Sequence, residues 1–196
     1  MNYIIFGSGG MAKETIARMD PKSILCVIAD APFNNPAYTF PVVPRLPELP
    51  DSVEFIMAVA DIALKMRWAA EMPDRWGTFI DPTAVVSPYA KIGKGCVISA
   101  FASICGDAII GDFVHMNVMS VASHDGVIGD FSTLSPQTEC TGGTRVGKGC
   151  FLGVGSYLTP GVSIANWVKV SAGAVVRKNV THACTVYGDP AKERVK

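Results

Sequence analysis

The 196-residue sequence lacks an apolar run long enough to cross a bilayer, and its amino terminus lacks a signal peptide, because the apolar residues 3–6 lead directly into a glycine loop. Its formal net charge is zero, so no overall charge excess points to nucleic acid or to a membrane surface. The six cysteines include no CxxC pair. These absences predict a cytoplasmic protein with free, mostly buried thiols.

What is present is a composition typical of a turn-rich globular protein, with 49% hydrophobic residues, 19 Gly and 13 Pro. The charge is unevenly spread. Residues 81–139 carry two basic and six acidic side chains, whereas residues 140–196 carry eight basic and two acidic ones. A basic carboxyl-terminal third suits a polyanionic small ligand, although an ordinary solvated surface accounts for it equally well.

Residues 1–80 show alternating strand and helix patterns. We expect strands at 3–6, 23–28, 53–59 and 77–80, helices at 11–19 and from an Asp61 cap through Met72, and an irregular proline-rich stretch up to Pro50. This order predicts a small parallel sheet flanked by helices. Between the first strand and helix lies a loop that could hold phosphate, formed by Gly7, Ser8, Gly9 and Gly10.

From residue 86 to residue 176, the second part of the chain follows an unbroken six-residue period instead. Sixteen positions six residues apart are all apolar: Val86, Ile92, Ile98, Ile104, Ile110, Met116, Ala122, Ile128, Leu134, Cys140, Val146, Leu152, Leu158, Ile164, Val170 and Val176. This period predicts a solenoid with three faces per coil, in which residues eighteen apart stack at a strand spacing of roughly 4.8 Å.

The aliphatic-Gly rhythm, the ending Gly188-Asp189-Pro190-Ala191-Lys192 and a histidine inside the repeat resemble the hexapeptide-repeat acyltransferases. With the preceding glycine loop, the chain is most similar to bacterial nucleotide-sugar N-acetyltransferases and sialic acid O-acetyltransferases. The resemblance implies a Rossmann-like nucleotide-sugar-binding domain at 1–80 and a left-handed β-helix with a carboxyl-terminal tail at 81–196. It also implies homotrimers and acetyl-CoA as co-substrate.

His124 is the histidine best placed to act as a base. It lies at a turn, and its register neighbours one coil before and after are Gly106 and Gly142, which leave space around the imidazole. The resemblance implies that His124 is the catalytic base, that Asp125 orients it and that the Gly142 N–H holds the thioester carbonyl. An ordinary Asp-Gly turn is the alternative.

The resemblance assigns further residues. Asn117 matches an asparagine near the base, and Thr133 stands where some relatives carry a second histidine. Acetyl-CoA is expected along Ala172 and Gly173, with Lys192, Arg177 and Lys178 near its phosphates. The nucleotide sugar is expected at the Gly7–Gly10 loop, with Asp30 contacting the base. The third strand ends in Val59-Ala60, where relatives often have Gly-Asn or Gly-Asp. This departure leaves the identity of the nucleotide undetermined.

Three other functions remain open at this point. The chain could acylate a free sugar or amino acid, or be a non-catalytic scaffold. It could also be a zinc lyase like the γ-carbonic anhydrases, which would need His115, His124 and His182 to converge on one ion. The 58-residue separation of the last two, just over three coils, disfavours such a zinc site. We therefore predict no metal in the active site.

Overall fold

The structure, a computed structural model, describes residues 2–29, 38–48 and 52–193. Asp30, the residue predicted to contact the nucleotide base, lies outside these ranges. The first part of the chain contains strands β1 (Tyr3–Phe6), β2 (Ile24–Ile28), β3 (Val42–Val43) and β4 (Glu54–Met57), helices α1 (Gly10–Ile16) and α2 (Ile62–Glu71), and a 3₁₀ turn at Pro21–Ser23. No helix in the described ranges is long and apolar enough to span a membrane.

The four amino-terminal strands form one parallel sheet in the order β3-β2-β1-β4. The expected strands at 3–6, 23–28 and 53–59 and both helices are present, α1 being shorter than predicted. Asp61 caps α2 as predicted, because its carboxylate accepts the Leu64 N–H at 2.8 Å. The short β3 was not predicted, since it lies in the stretch interpreted as irregular.

The rest of the chain is a solenoid of two- and three-residue strands. They are β5 (Phe79–Ile80), β6 (Val85–Val86), β7 (Lys91–Ile92), β8 (Val97–Ile98), β9 (Ser103–Ile104), β10 (Ile109–Ile110), β11 (His115–Met116), β12 (Val121–Ala122), β13 (Val127–Ile128), β14 (Thr133–Leu134), β15 (Glu139–Cys140), β16 (Arg145–Val146), β17 (Phe151–Leu152), β18 (Tyr157–Leu158), β19 (Ser163–Ile164), β20 (Lys169–Val170), β21 (Val175–Val176), β22 (Thr185–Tyr187) and β23 (Lys192–Glu193).

These strands form three sheets of five, eight and six strands, and all pairs are parallel except β22 with β23. From β6 to β21, paired residues are eighteen positions apart, as His115 pairs with Thr133. The predicted coil of three faces is thus confirmed. Fourteen of the sixteen hexad residues are at most 3% exposed, and the other two, Val86 and Ile92, pack on the same core. Stacked aliphatic side chains therefore hold the coils together.

The last predicted strand of the amino-terminal half pairs differently from our expectation. Phe79–Ile80 joins β8 of the solenoid rather than the amino-terminal sheet, so the solenoid begins at β5. Both sides of the amino-terminal sheet reach the solenoid, because Phe113 packs in the cluster of Phe6 and Trp76, and Val97 packs in the opposite cluster. The two parts of the chain consequently share hydrophobic cores.

An ion pair also links the two parts. The Arg18 guanidinium donates from Nε to Asp81 at 2.6 Å, and Thr83 donates to the same carboxylate. These hydrogen bonds, that of Arg18 foremost, hold the pKa of Asp81 well below its usual range although its side chain is buried.

At the turns between faces, one residue in every six has a positive φ, in the left-handed region of backbone conformation. The non-glycine members are Phe101, Asp107, Phe113, Met119, Asp125, Phe131, Gln137 and Trp167. Asp125, with φ of 58°, is among the residue types that tolerate this conformation. One and two coils later, Gly143 and Gly161 occupy the same corner. The corner that carries His124 therefore continues as exposed or half-buried glycine backbone.

Candidate functional site

The side chains of His124 and Asp125 form a hydrogen bond at the turn between β12 and β13. His124 Nδ1 lies 2.8 Å from Asp125 Oδ2. In a neutral imidazole, an Nδ1–H donated to this carboxylate leaves the lone pair on Nε2. The two side chains are 72% and 67% exposed in the single chain, so the pair is open to a ligand.

The imidazole lies directly over Gly142. A Cβ built on Gly142 would be 2.5 Å from Nε2 and 2.6 Å from Cε1 of His124, so only glycine leaves room for the ring in this position. Gly106, on the other side, behaves differently from our expectation. The nearest atom to a Cβ there would be Ser87 Oγ at 4.0 Å, so the ring lies toward the later coil and does not contact Gly106.

The backbone N–H of Gly142 is available to a ligand. Its carbonyl accepts the Gly161 N–H at 3.0 Å, but within the described residues its own N–H has no hydrogen-bond partner. On the neighbouring corner the equivalent N–H groups of Lys94 and Lys148 are capped, by Asp112 Oδ1 at 3.0 Å and Asn166 Oδ1 at 2.8 Å. The residue one coil after Gly142 is Pro160, which has no acceptor side chain. An unpaired donor thus lies beside the imidazole.

Asn117 is held within the solenoid. Its Nδ2 donates to the Leu134 carbonyl at 2.8 Å, and its backbone carbonyl accepts a hydrogen bond from the Ser120 hydroxyl. The residue is buried. These bonds fix the coil before the base. The structure therefore gives Asn117 a structural contact, while its predicted role near the base stays a prediction.

Thr133 is buried beneath α2 and not open to a substrate in the single chain. It is 1% exposed, and its hydroxyl accepts a hydrogen bond from Lys65 Nζ at 3.0 Å. Lys65, on α2, also donates to the carbonyls of Phe131 at 2.9 Å and Phe113 at 3.2 Å. The position at which some relatives have a second histidine is therefore used here to attach α2 to the solenoid.

Lys65 and His115 are fully buried titratable groups next to this attachment. Burial lowers the pKa of Lys65 to about 7. Burial, reinforced by the nearby Lys65 charge, also lowers the pKa of His115 far below its usual value. The burial of these two side chains was not predicted from the sequence. In the sequence, Lys65 is an ordinary helix cation, and no local signal shows that its side chain turns inward.

The Gly7–Gly10 loop connects β1 to α1 at the carboxyl end of the sheet. A Cβ on Gly7, whose φ is 119°, would lie 2.6 Å from the Ala58 carbonyl oxygen, so this position requires glycine. Gly9 and Gly10 are exposed and Ser8 is half-buried. The loop therefore packs on the end of β4 and leaves its following backbone open.

A cleft of about 770 Å³ begins just beyond the end of β4. One wall is the start of α2 together with the preceding Ala60 and Asp61. The other wall is the solenoid surface of Phe151, Trp167 and Lys169. An apolar floor with one lysine is suited to a ring system joined to a phosphate. Sequence reasoning missed this cleft because its two walls come from distant segments.

The residues predicted to bind acetyl-CoA lie at the late coils. Ala172 packs its backbone against Gly153, and Gly173 is exposed with φ of 66°. Lys192 is exposed on β23, whereas the Arg177 guanidinium pairs with Asp189 at 2.7 Å. Lys192 is thus better placed than Arg177 to meet a phosphate.

The three histidines do not converge. His115 is buried in the face covered by the amino-terminal sheet, and His124 lies at an exposed turn. Within the described ranges the one cluster of potential metal ligands contains His182 but neither of the others. A three-histidine zinc site is therefore not formed by these side chains.

Comparisons with known proteins agree with the repeat. Residues 143–178 match the family described as "Bacterial transferase hexapeptide (six repeats)". Over 122 residues the chain is 36% identical to the GDP-perosamine N-acetyltransferase of Escherichia coli O157:H7. The chain is thus similar to hexapeptide-repeat transferases in its solenoid. The alignment covers 59% of this chain. The chain spans about half of the length of that curated relative, namely 55%.

Two solved structures resemble this chain over nearly its whole length. PerB from Caulobacter crescentus, in complex with CoA and GDP-perosamine, is 29% identical with a TM-score of 0.86, covering 100% of this chain and 98% of PerB. The acetyltransferase domain of PglB from Neisseria gonorrhoeae FA1090 is 26% identical with a TM-score of 0.89, covering 98% and 99%.

Proposed function

We propose that the chain is an acetyl-CoA-dependent N-acetyltransferase that acts on a nucleotide-linked amino sugar, in the synthesis of a surface polysaccharide or glycan. The observation that carries this proposal is the placement of His124 Nε2 over Gly142, beside an unpaired backbone N–H. The printed names of the relatives, a GDP-perosamine N-acetyltransferase and a structure holding CoA and GDP-perosamine, support the same chemistry.

In the proposed reaction, His124 Nε2 accepts the proton of the sugar amine as the nitrogen attacks the thioester carbonyl. Asp125 holds the Nδ1 proton and stabilises the imidazolium that forms. The Gly142 N–H donates to the oxyanion of the tetrahedral intermediate. The intermediate then collapses with release of CoA as a thiolate, which takes up a proton, and the amide remains on the sugar.

The substrates would approach from different parts of the chain. Acetyl-CoA would lie along Gly142, Ala172 and Gly173, with a phosphate near Lys192. The nucleotide sugar would bind at the Gly7–Gly10 loop and extend into the cleft beside α2. This placement is supported by the exposed glycine backbone at both positions, which lets a phosphate or an extended chain approach the main chain.

We further propose a Rossmann-like domain at 1–80 and a left-handed β-helix at 81–196, with β5 at the boundary adding the first solenoid strand. We also propose a homotrimer that acts in the cytoplasm, where acetyl-CoA would be supplied. The exposure of the His124 side chain supports the trimer, because a base must be shielded from bulk water during transfer. Exposed apolar side chains on the coils point the same way, among them Phe101, Met119 and Ile109.

A thiol-release assay tests this function. Purified protein with acetyl-CoA would be presented with GDP-, UDP- and dTDP-linked amino sugars, and with free amino sugars and amino acids. We expect CoA release and a product heavier by one acetyl group with a nucleotide-linked amino sugar. Release only with a free sugar or amino acid would instead favour the alternative acceptors, and no release at all would contradict the proposal.

A further inference from the structure

The carboxyl-terminal hairpin brings together three side chains that the acyl-transfer chemistry does not use. Strand β22 pairs antiparallel with β23, so that Val186 lies opposite Glu193. His182 and Cys184, two residues apart, precede β22 and reach the same end of the hairpin. His182 Nε2 lies 3.3 Å from Glu193 Oε2, and the three potential ligand atoms are all within 4.8 Å of one another.

These distances fit a tetrahedral cation. Nitrogen and oxygen ligands at about 2.0–2.1 Å from Zn²⁺ are about 3.4 Å apart, close to the His182–Glu193 separation. A sulfur at about 2.3 Å from the ion would be about 3.6 Å from the other two ligands, so the widest pair must close by at most roughly 1 Å. His182 and Glu193 have exposed side chains that can make this adjustment by rotation.

The donor set is chemically selective. Imidazole nitrogen, thiolate sulfur and carboxylate oxygen together favour zinc-like ions over Mg²⁺ or Ca²⁺, which prefer oxygen ligands. Cys184 would bind such a cation as its thiolate, with release of the thiol proton.

We propose that His182, Cys184 and Glu193 form a binding site for a divalent cation of the zinc class, with one coordination position left to water. The cation ties β23, the last described strand, to the turn that precedes β22. The site is a structural clamp on the carboxyl-terminal hairpin, and it is separate from the His124 corner. It does not depend on the proposed acetyltransferase function.

Cobalt(II) is a suitable probe, because a cobalt–thiolate bond gives a charge-transfer absorption that aqueous cobalt lacks. The full chain, stripped with a chelator and desalted, would be titrated with Co²⁺ and then with Zn²⁺. We expect a saturable absorption at one equivalent, which Zn²⁺ abolishes, and a higher unfolding temperature with metal. Absence of the absorption would overturn the proposal.

Variants identify the ligands. Cys184→Ser should abolish the absorption, and Glu193→Gln should weaken cobalt binding by more than about tenfold at an unchanged metal-free unfolding temperature. Cys105→Ser is the matched control, since Cys105 is the other partly exposed cysteine and should leave the absorption intact. His124→Ala should also retain it. Persistence in Cys184→Ser, or loss in Cys105→Ser, would show that the site is elsewhere.

Discussion

Replacing Gly142 by alanine is expected to displace the His124 imidazole without removing any functional group. The new Cβ would lie 2.5 Å from His124 Nε2, whereas an ordinary contact needs about 3.5 Å, so the ring tip must move by about 1 Å. A displacement of this size costs about a hundredfold in turnover, or about 3 kcal/mol of transition-state stabilisation. The alanine keeps the backbone N–H, so the loss reports the position of the base.

The matched control is Gly106→Ala, one coil earlier in the same register. Its Cβ would meet only Ser87 Oγ at 4.0 Å, and neither glycine has a left-handed φ, so neither variant strains the backbone. Both variants should unfold within a few degrees of the parent, because His124 is exposed and its ring can rotate. Turnover would be measured by thiol release with saturating acetyl-CoA. A Gly142→Ala variant within twofold of the parent, or an equal loss in Gly106→Ala, would refute the reasoning.

Two further predictions concern polar partners. Asp125→Asn should lower turnover by less than about a hundredfold, a smaller loss than removal of the base, and unchanged turnover would refute its orienting role. In the unfolded chain Lys65 stays protonated to about pH 10.4, whereas the folded pKa is about 7. The unfolded state therefore binds more protons in this window, and urea unfolding should show stability rising with pH by on the order of 1 kcal/mol per unit. Lys65→Met should flatten this dependence of the unfolding free energy on pH. A dependence as steep in the variant would show that another group causes it.

The solenoid could be predicted from the sequence because its core is periodic. Each hexad aliphatic stacks on its own equivalents, so one repeating pattern specifies every coil and every pairing from β6 to β21. The same register correctly placed Gly142 against His124. It could not show on which side of the turn the ring lies, since a side-chain rotamer decides between Gly106 and Gly142.

Contacts between the two parts of the chain could not be predicted from local patterns. Lys65 reaches Thr133 only because α2 lies across the face of β11 and β14, and this depends on packing among aromatic residues distant in sequence. The pairing of Phe79–Ile80 with β8 was missed for a related reason. A two-residue apolar segment fits either sheet, and the hydrogen bonds of the neighbouring coil decide which one it joins.

The central claim is that His124 is the base of an acetyl transfer. His124→Ala should lower turnover in the thiol-release assay by about 10²–10⁴-fold, the range for a positioned general base. Its unfolding temperature and oligomeric state should change little, because the one described hydrogen bond of the side chain goes to its own neighbour Asp125. A folded His124→Ala variant with near-normal turnover on a nucleotide-linked amino sugar would contradict the account.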